Sequence, residues 1–101
     1  MIAGCTVTVI LSDLPLPISK IASLKVVYRD AVTKESILSK DLTDMTRDGD
    51  TLRFTLTQSE SLSMQGKLLR SVVLCSDDGV RAESVPDLVE VMPSAYGEVL
   101  S

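Results

Sequence analysis

Residues 51–57, TLRFTLT, place Leu52, Phe54 and Leu56 on one side of an extended chain and Arg53, Thr55 and Thr57 on the other. Strict alternation of this kind fits a half-buried strand and no helix, because successive side chains of a strand point to opposite faces. The same period recurs in CTVTVILS (5–12), with Cys5, Val7, Val9 and Leu11 set against Thr6, Thr8, Ile10 and Ser12. It recurs again in LKVVYRD (24–30), where Leu24, Val26 and Tyr28 share a side. No segment of the 101 residues carries the apolar period of a long helix. The chain is therefore expected to bury its apolar surface between sheets.

Weaker strand patterns fill the rest. KESILSKDL (34–42) is expected to pair with 24–30 as a hairpin across the turn AVT. KLLRSVVLCS (67–76) is apolar on both faces, which suits a central strand covered on both sides. VRAES and DLVEV flank Pro86, which marks an edge or a bend because proline cannot donate to a ladder. Asp48-Gly49 in TRDGD and the DDG at 77–79 are hairpin-turn signals. Pro15 and Pro17 argue for a loop before residue 24, with one helical turn at 19–23.

One corner reads differently. In TQSE (57–60) the Thr57 hydroxyl can accept from the N–H of Glu60 while the Glu60 carboxylate accepts from the N–H of Thr57. This capping box predicts a short helical turn near residues 58–64. Leu62 is expected to plug the core there, and Gly66 to end the turn in a left-handed conformation. The count is six or seven short strands, and the expected fold is an all-β, antiparallel, Ig-like β-sandwich. "Ig-like" describes architecture only, since the chain has no tryptophan. Residues 1–101 are read as one domain, with 93–101 a loosely held tail.

Composition narrows function by elimination. Ten basic residues are scattered under a net charge of −4, so no basic face for nucleic acid or anionic membrane is expected. The apolar run TVTVIL is far short of the ~20 residues of a membrane-spanning helix. IAGC at 2–5 resembles the end of a lipoprotein signal, but only Met1 precedes it, so no signal peptide is expected. The chain has no histidine, the commonest general base and metal ligand. Two cysteines, Cys5 and Cys75, are expected to be free, buried and inert, since both sit in apolar strand patterns.

Several polar clusters have a plainer reading than chemistry. Asp41, Asp44, Asp48 and Asp50 crowd one region without the spacing of a calcium loop, and read as a solvated turn. Asp77 and Asp78 read as a hairpin tip. Ser59, Ser61 and Ser63 lack a histidine base, Lys67 is a poor substitute for one, and Glu60 reads as a cap. No catalytic, cofactor-binding or metal-ligating residue is expected. Contact remains, through a candidate surface of Ile10, the second apolar face of 68–75 with Leu69 and Val73, and Tyr96. The alternative is a carbohydrate- or ligand-binding β module. Sugar sites rely on exposed aromatics, and this chain has only Tyr28, Phe54 and Tyr96.

The stretch RFTLTQSESLSMQGKLLRSVVLCSDDGVRAESVPDLVEV resembles the C-terminal half of small prophage-encoded, tail-associated β-domain proteins of gut Firmicutes. The matching positions are Leu56, Thr57, Gln58, Glu60 and Leu62, then Gly79, Val89 and Val91. The resemblance covers about half the chain. It implies a structural role at a phage tail or baseplate, with other copies of the chain or a neighbouring tail protein as partner. It also implies residence in the bacterial host cytoplasm during assembly and then in the virion. It supplies no catalytic residue.

Overall fold

The computed structural model describes residues 1–12 and 14–100. Asp13, in the expected proline loop, and Ser101, at the end of the expected tail, lie outside the described residues. Among the described residues eight strands form: β1 (Val7–Leu11), β2 (Ile21–Asp30), β3 (Ser36–Asp41), β4 (Thr46–Asp48), β5 (Thr51–Leu56), β6 (Gly66–Ser76), β7 (Arg81–Glu83) and β8 (Asp87–Val91). One short helix, α1 (Gln58–Leu62), joins β5 to β6. The eighth strand beyond the expected number is β4.

The strands make two antiparallel sheets, ordered β1-β5-β4 and β3-β2-β6, with β7 and β8 following one another along the far side of β6. This is the strand order B-E-D and C′-C-F-G of an immunoglobulin sandwich. A parallel bridge between Ile2 and Met92 ties the N-terminal residues to the end of β8. The core between the sheets is mostly aliphatic, with Tyr28 and Phe54 its two aromatic members. Leu24, Val26, Leu74 and Leu68 of one sheet are buried in the same cluster as Leu11, Leu52, Phe54 and Leu56 of the other. The alternation read in β5 is realised in full, since Leu52, Phe54 and Leu56 are all buried and Arg53 and Thr55 exposed.

Several local expectations are corrected. The hairpin between β4 and β5 turns at Gly49-Asp50, because Asp48 pairs with Thr51; the positive φ falls on Gly49 as glycine allows. The 3-10 turn near the prolines covers Ile18–Lys20, and β2 already begins at Ile21. Cys5 is exposed, because the chain bends after Gly4 (φ 87°) and β1 starts only at Val7; Cys75 is partly buried. Both thiols are free. Leu62 is only partly buried, and the residue that plugs the core beside the corner is Met64, which is fully buried.

The capped corner forms as read. Thr57 N donates to Glu60 Oε1 at 3.0 Å and Glu60 N donates to Thr57 Oγ1 at 3.2 Å. Gly66 follows with φ 83° and opens β6. Glu60 also meets Lys40 of β3, Nζ to Oε2 at 2.5 Å, with both side chains largely withdrawn from solvent. The ammonium of Lys40, and then the N–H of Thr57, hold the Glu60 carboxyl below its ordinary value near 4.5. A lowered carboxyl pKa gives stability that is complete above the unfolded value and is lost as pH falls through the folded one. Wild-type protein should therefore lose more stability than Glu60→Gln between roughly pH 5 and pH 3. Urea titrations across that range check this, and parallel curves for the two proteins would contradict it.

Candidate functional site

The pairing register sorts the five-stranded sheet into two faces. Leu24 with Leu74, Val26 with Val72 and Tyr28 with Arg70 face the core. The rows between them face outward: Ser23 with Cys75 and Arg81; Lys25 with Val73 and Glu83; Val27 with Ser71; Arg29 with Leu69 and Leu88. Outward residues of a sheet that faced only water would be polar. Here the centre of the face is aliphatic. Val27, Leu69 and Val73 are partly buried, and Leu88 is 58% exposed. Ser71, in the same central row, is buried, and its hydroxyl has no hydrogen-bond partner among the described residues.

Charges of both signs frame this centre. Lys25 reaches Asp41 at 3.8 Å, and Arg81 reaches Glu83 at 3.3 Å. These pairs are exposed, so each adds little to stability. At one end an open depression of about 690 Å³ is lined by Lys25, Val27, Val73, Cys75 and Arg81. No aromatic ring lines it.

The four residues named from sequence do not form one surface. Leu69 and Val73 share the outer face just described. Ile10, 61% exposed, lies on the outer face of the other sheet, opposite Arg53. Tyr96 lies in the tail beyond β8, 56% exposed, with its hydroxyl donating to Glu98 at 2.9 Å. That tail is fastened at its end: Gln58 Nε2 donates to Leu100 O at 2.9 Å, and Leu100 N donates to Gln58 Oε1 at 2.7 Å. Sequence reading missed Leu88 and Val27. The doubled apolar pattern of β6 was the signal, and only pairing shows which neighbours extend it.

The polar clusters resolve into local structure. Asp44 Oδ2 accepts from Asp41 N at 3.0 Å across a 3-10 turn at Leu42–Asp44. Asp78 accepts from Ser76 Oγ at the β6–β7 tip, and Val80 N donates to that same Ser76 hydroxyl at 3.0 Å. Ser61 is buried, and its hydroxyl accepts from Gly4 N at 2.9 Å and donates to Cys5 O at 2.8 Å. It is a brace for the N-terminal turn. Among the described residues no three His, Cys, Asp or Glu side chains gather as metal ligands would. Among them, too, no helix is long and apolar enough to cross a membrane.

No protein-family model, curated protein or solved structure matches this chain.

Proposed function

We propose that this chain is a non-enzymatic contact module that binds another protein through the outer face of its five-stranded sheet. One observation carries the reading: Val27, Leu69, Val73 and Leu88 give the outward rows of the sheet an aliphatic centre, with paired charges beside it. An apolar centre with a polar rim is the anatomy of a protein–protein interface. The resemblance of residues 53–91 to prophage tail-associated proteins supports a tail or baseplate protein as the partner. A carbohydrate- or ligand-binding module is the second reading, and the depression beside Arg81 favours it. The lack of an aromatic platform there weighs against it.

Leu88→Asp tests the first reading, because Leu88 is exposed and its loss should leave the fold intact. Against proteins encoded beside this chain, the variant should lose at least roughly tenfold in affinity, the worth of one buried apolar side chain. Its thermal midpoint should stay close to wild type. Unchanged capture by Leu88→Asp would sink the sheet-face reading, and saturable binding in a glycan titration would move the assignment to the second one.

A further inference from the structure

Each sheet edge but one carries a device that blocks strand addition. Edge strands present unpaired N–H and C=O groups, and proteins blunt them with charge, short length or a covering segment. On β3, Lys40 shares the core-facing row of Val26 and is held there by Glu60. β4 has three residues, all exposed, with Arg47 and Asp48 among them. β7 is equally short and carries Arg81 and Glu83. The end of β8 is covered by the N-terminal residues, with Ala3 N donating to Met92 O at 2.9 Å and Met92 N to Met1 O at 2.8 Å.

β1 has none of these. It is five residues long and pairs only with β5. No backbone hydrogen bond among the described residues reaches Val7–Leu11 from its free side. From Cys5 to Ser12 there is no charge, no proline and no glycine. Its side chains also report a missing neighbour. Val7 and Val9 pack against the core yet stay partly exposed, whereas their partners Leu56 and Phe54 on β5 are buried. On the outer side Ile10 stands 61% exposed.

We infer that β1 is the seat of self-association, pairing antiparallel with β1 of a second copy about a two-fold axis at Val9. Charge selects that occupant. A strand added here sets alternate side chains beside Val7 and Val9 at the mouth of the core, where an ionised group would lose its hydration. The other edges of this chain would bring such a group; β1 brings Val7, Val9 and Leu11. The two-fold register sets Val9 against Val9, Val7 against Leu11, and Thr8 against Ile10. No like charges face one another, and Arg53 lies one strand back from the seam in each copy. The contact is isologous and closes at two copies. It joins two three-stranded sheets into one sheet of six. It uses the opposite sheet from the face proposed above, so Leu88→Asp leaves it untouched.

Sedimentation of the full chain, from low micromolar to millimolar, tests the pairing. Wild type should dimerise reversibly. Thr8→Lys and Ile10→Glu are both at exposed positions, and Ile10→Glu faces Arg53 within its own copy, so both should fold. Each alone places a charge against an uncharged residue at the seam and should weaken the dimer. The double variant places the introduced lysine of one copy against the introduced glutamate of the other, twice per dimer. It should recover roughly tenfold over the weaker single variant, as two cross-strand ion pairs allow. A wild type that stays monomeric at millimolar concentration overturns the inference. So does a dimer indifferent to both single variants, and a double variant without recovery overturns the register. Should the variants fail to fold, hydrogen exchange of the wild type decides: the amides of Val7–Leu11 that point away from β5 must gain protection with concentration, and constant protection there overturns the inference.

Discussion

Met64→Ala is expected to lower the unfolding free energy by about 3 kcal/mol, within the usual range for truncating a buried methionine. Met64 is fully buried and belongs to the single core cluster, just past the helical corner. The loss combines the transfer term of the deleted atoms with the cavity left between two sheets that cannot collapse onto it. A domain of this size is stable by only about 5–15 kcal/mol, so the change removes a large share. Leu62→Ala serves as the comparison. Leu62 is partly exposed and lies against Gly4, whose added Cβ would come within 3.1 Å of Leu62 Cδ2. Its truncation should cost about 1 kcal/mol, because solvent can enter the space. Urea denaturation of the two variants decides, and a larger loss for Leu62→Ala would contradict the burial seen here.

Ser61→Ala is expected to cost about 2 kcal/mol, more than a surface hydroxyl could. The hydroxyl is bonded on both sides, accepting from Gly4 N and donating to Cys5 O. Alanine leaves no appreciable cavity, so the effect isolates two backbone groups that lose their partner in a partly buried site. The turn at Gly4 then loses its brace, and the bridge from Ile2 to Met92 loosens with it. Amide exchange at Ala3 and Met92 should accelerate in the variant. An unchanged midpoint with unchanged exchange at both amides would show that the brace carries no energy.

What could be read from the residues followed the strength of the local pattern. β5 alternates without exception, and its sides came out as read. The corner at Thr57 was legible because capping chemistry is local: Thr57 and Glu60 satisfy each other whatever lies around them. β4 was not legible, since Thr46–Asp48 is a polar, exposed run that is a strand only because β5 supplies its ladder. Cys5 reads as inward only if the alternation of β1 is extended two residues too far, into the bend that follows Gly4. Leu62 reads as the plug because a leucine inside a helical turn usually faces the core. The turn stops at Leu62, and the chain then swings Met64 inward on its way to β6. The outer face was half visible. The doubled pattern of 67–76 showed that β6 has two apolar sides, but Val27 and Leu88 join that side only through pairing across the sheet.

The strand order also sets the pace at which the chain can fold. Only the β2–β3, β4–β5 and β6–β7 pairs are hairpins between sequence neighbours. Each sheet is completed by a pairing that spans about half the chain: β1 with β5, where Val7 meets Leu56, and β2 with β6, where Leu24 meets Leu74. Loop-closure entropy is lost before those long-range contacts return any energy. A sandwich dominated by such pairings belongs among the slow two-state folders, reaching its native state in milliseconds to seconds.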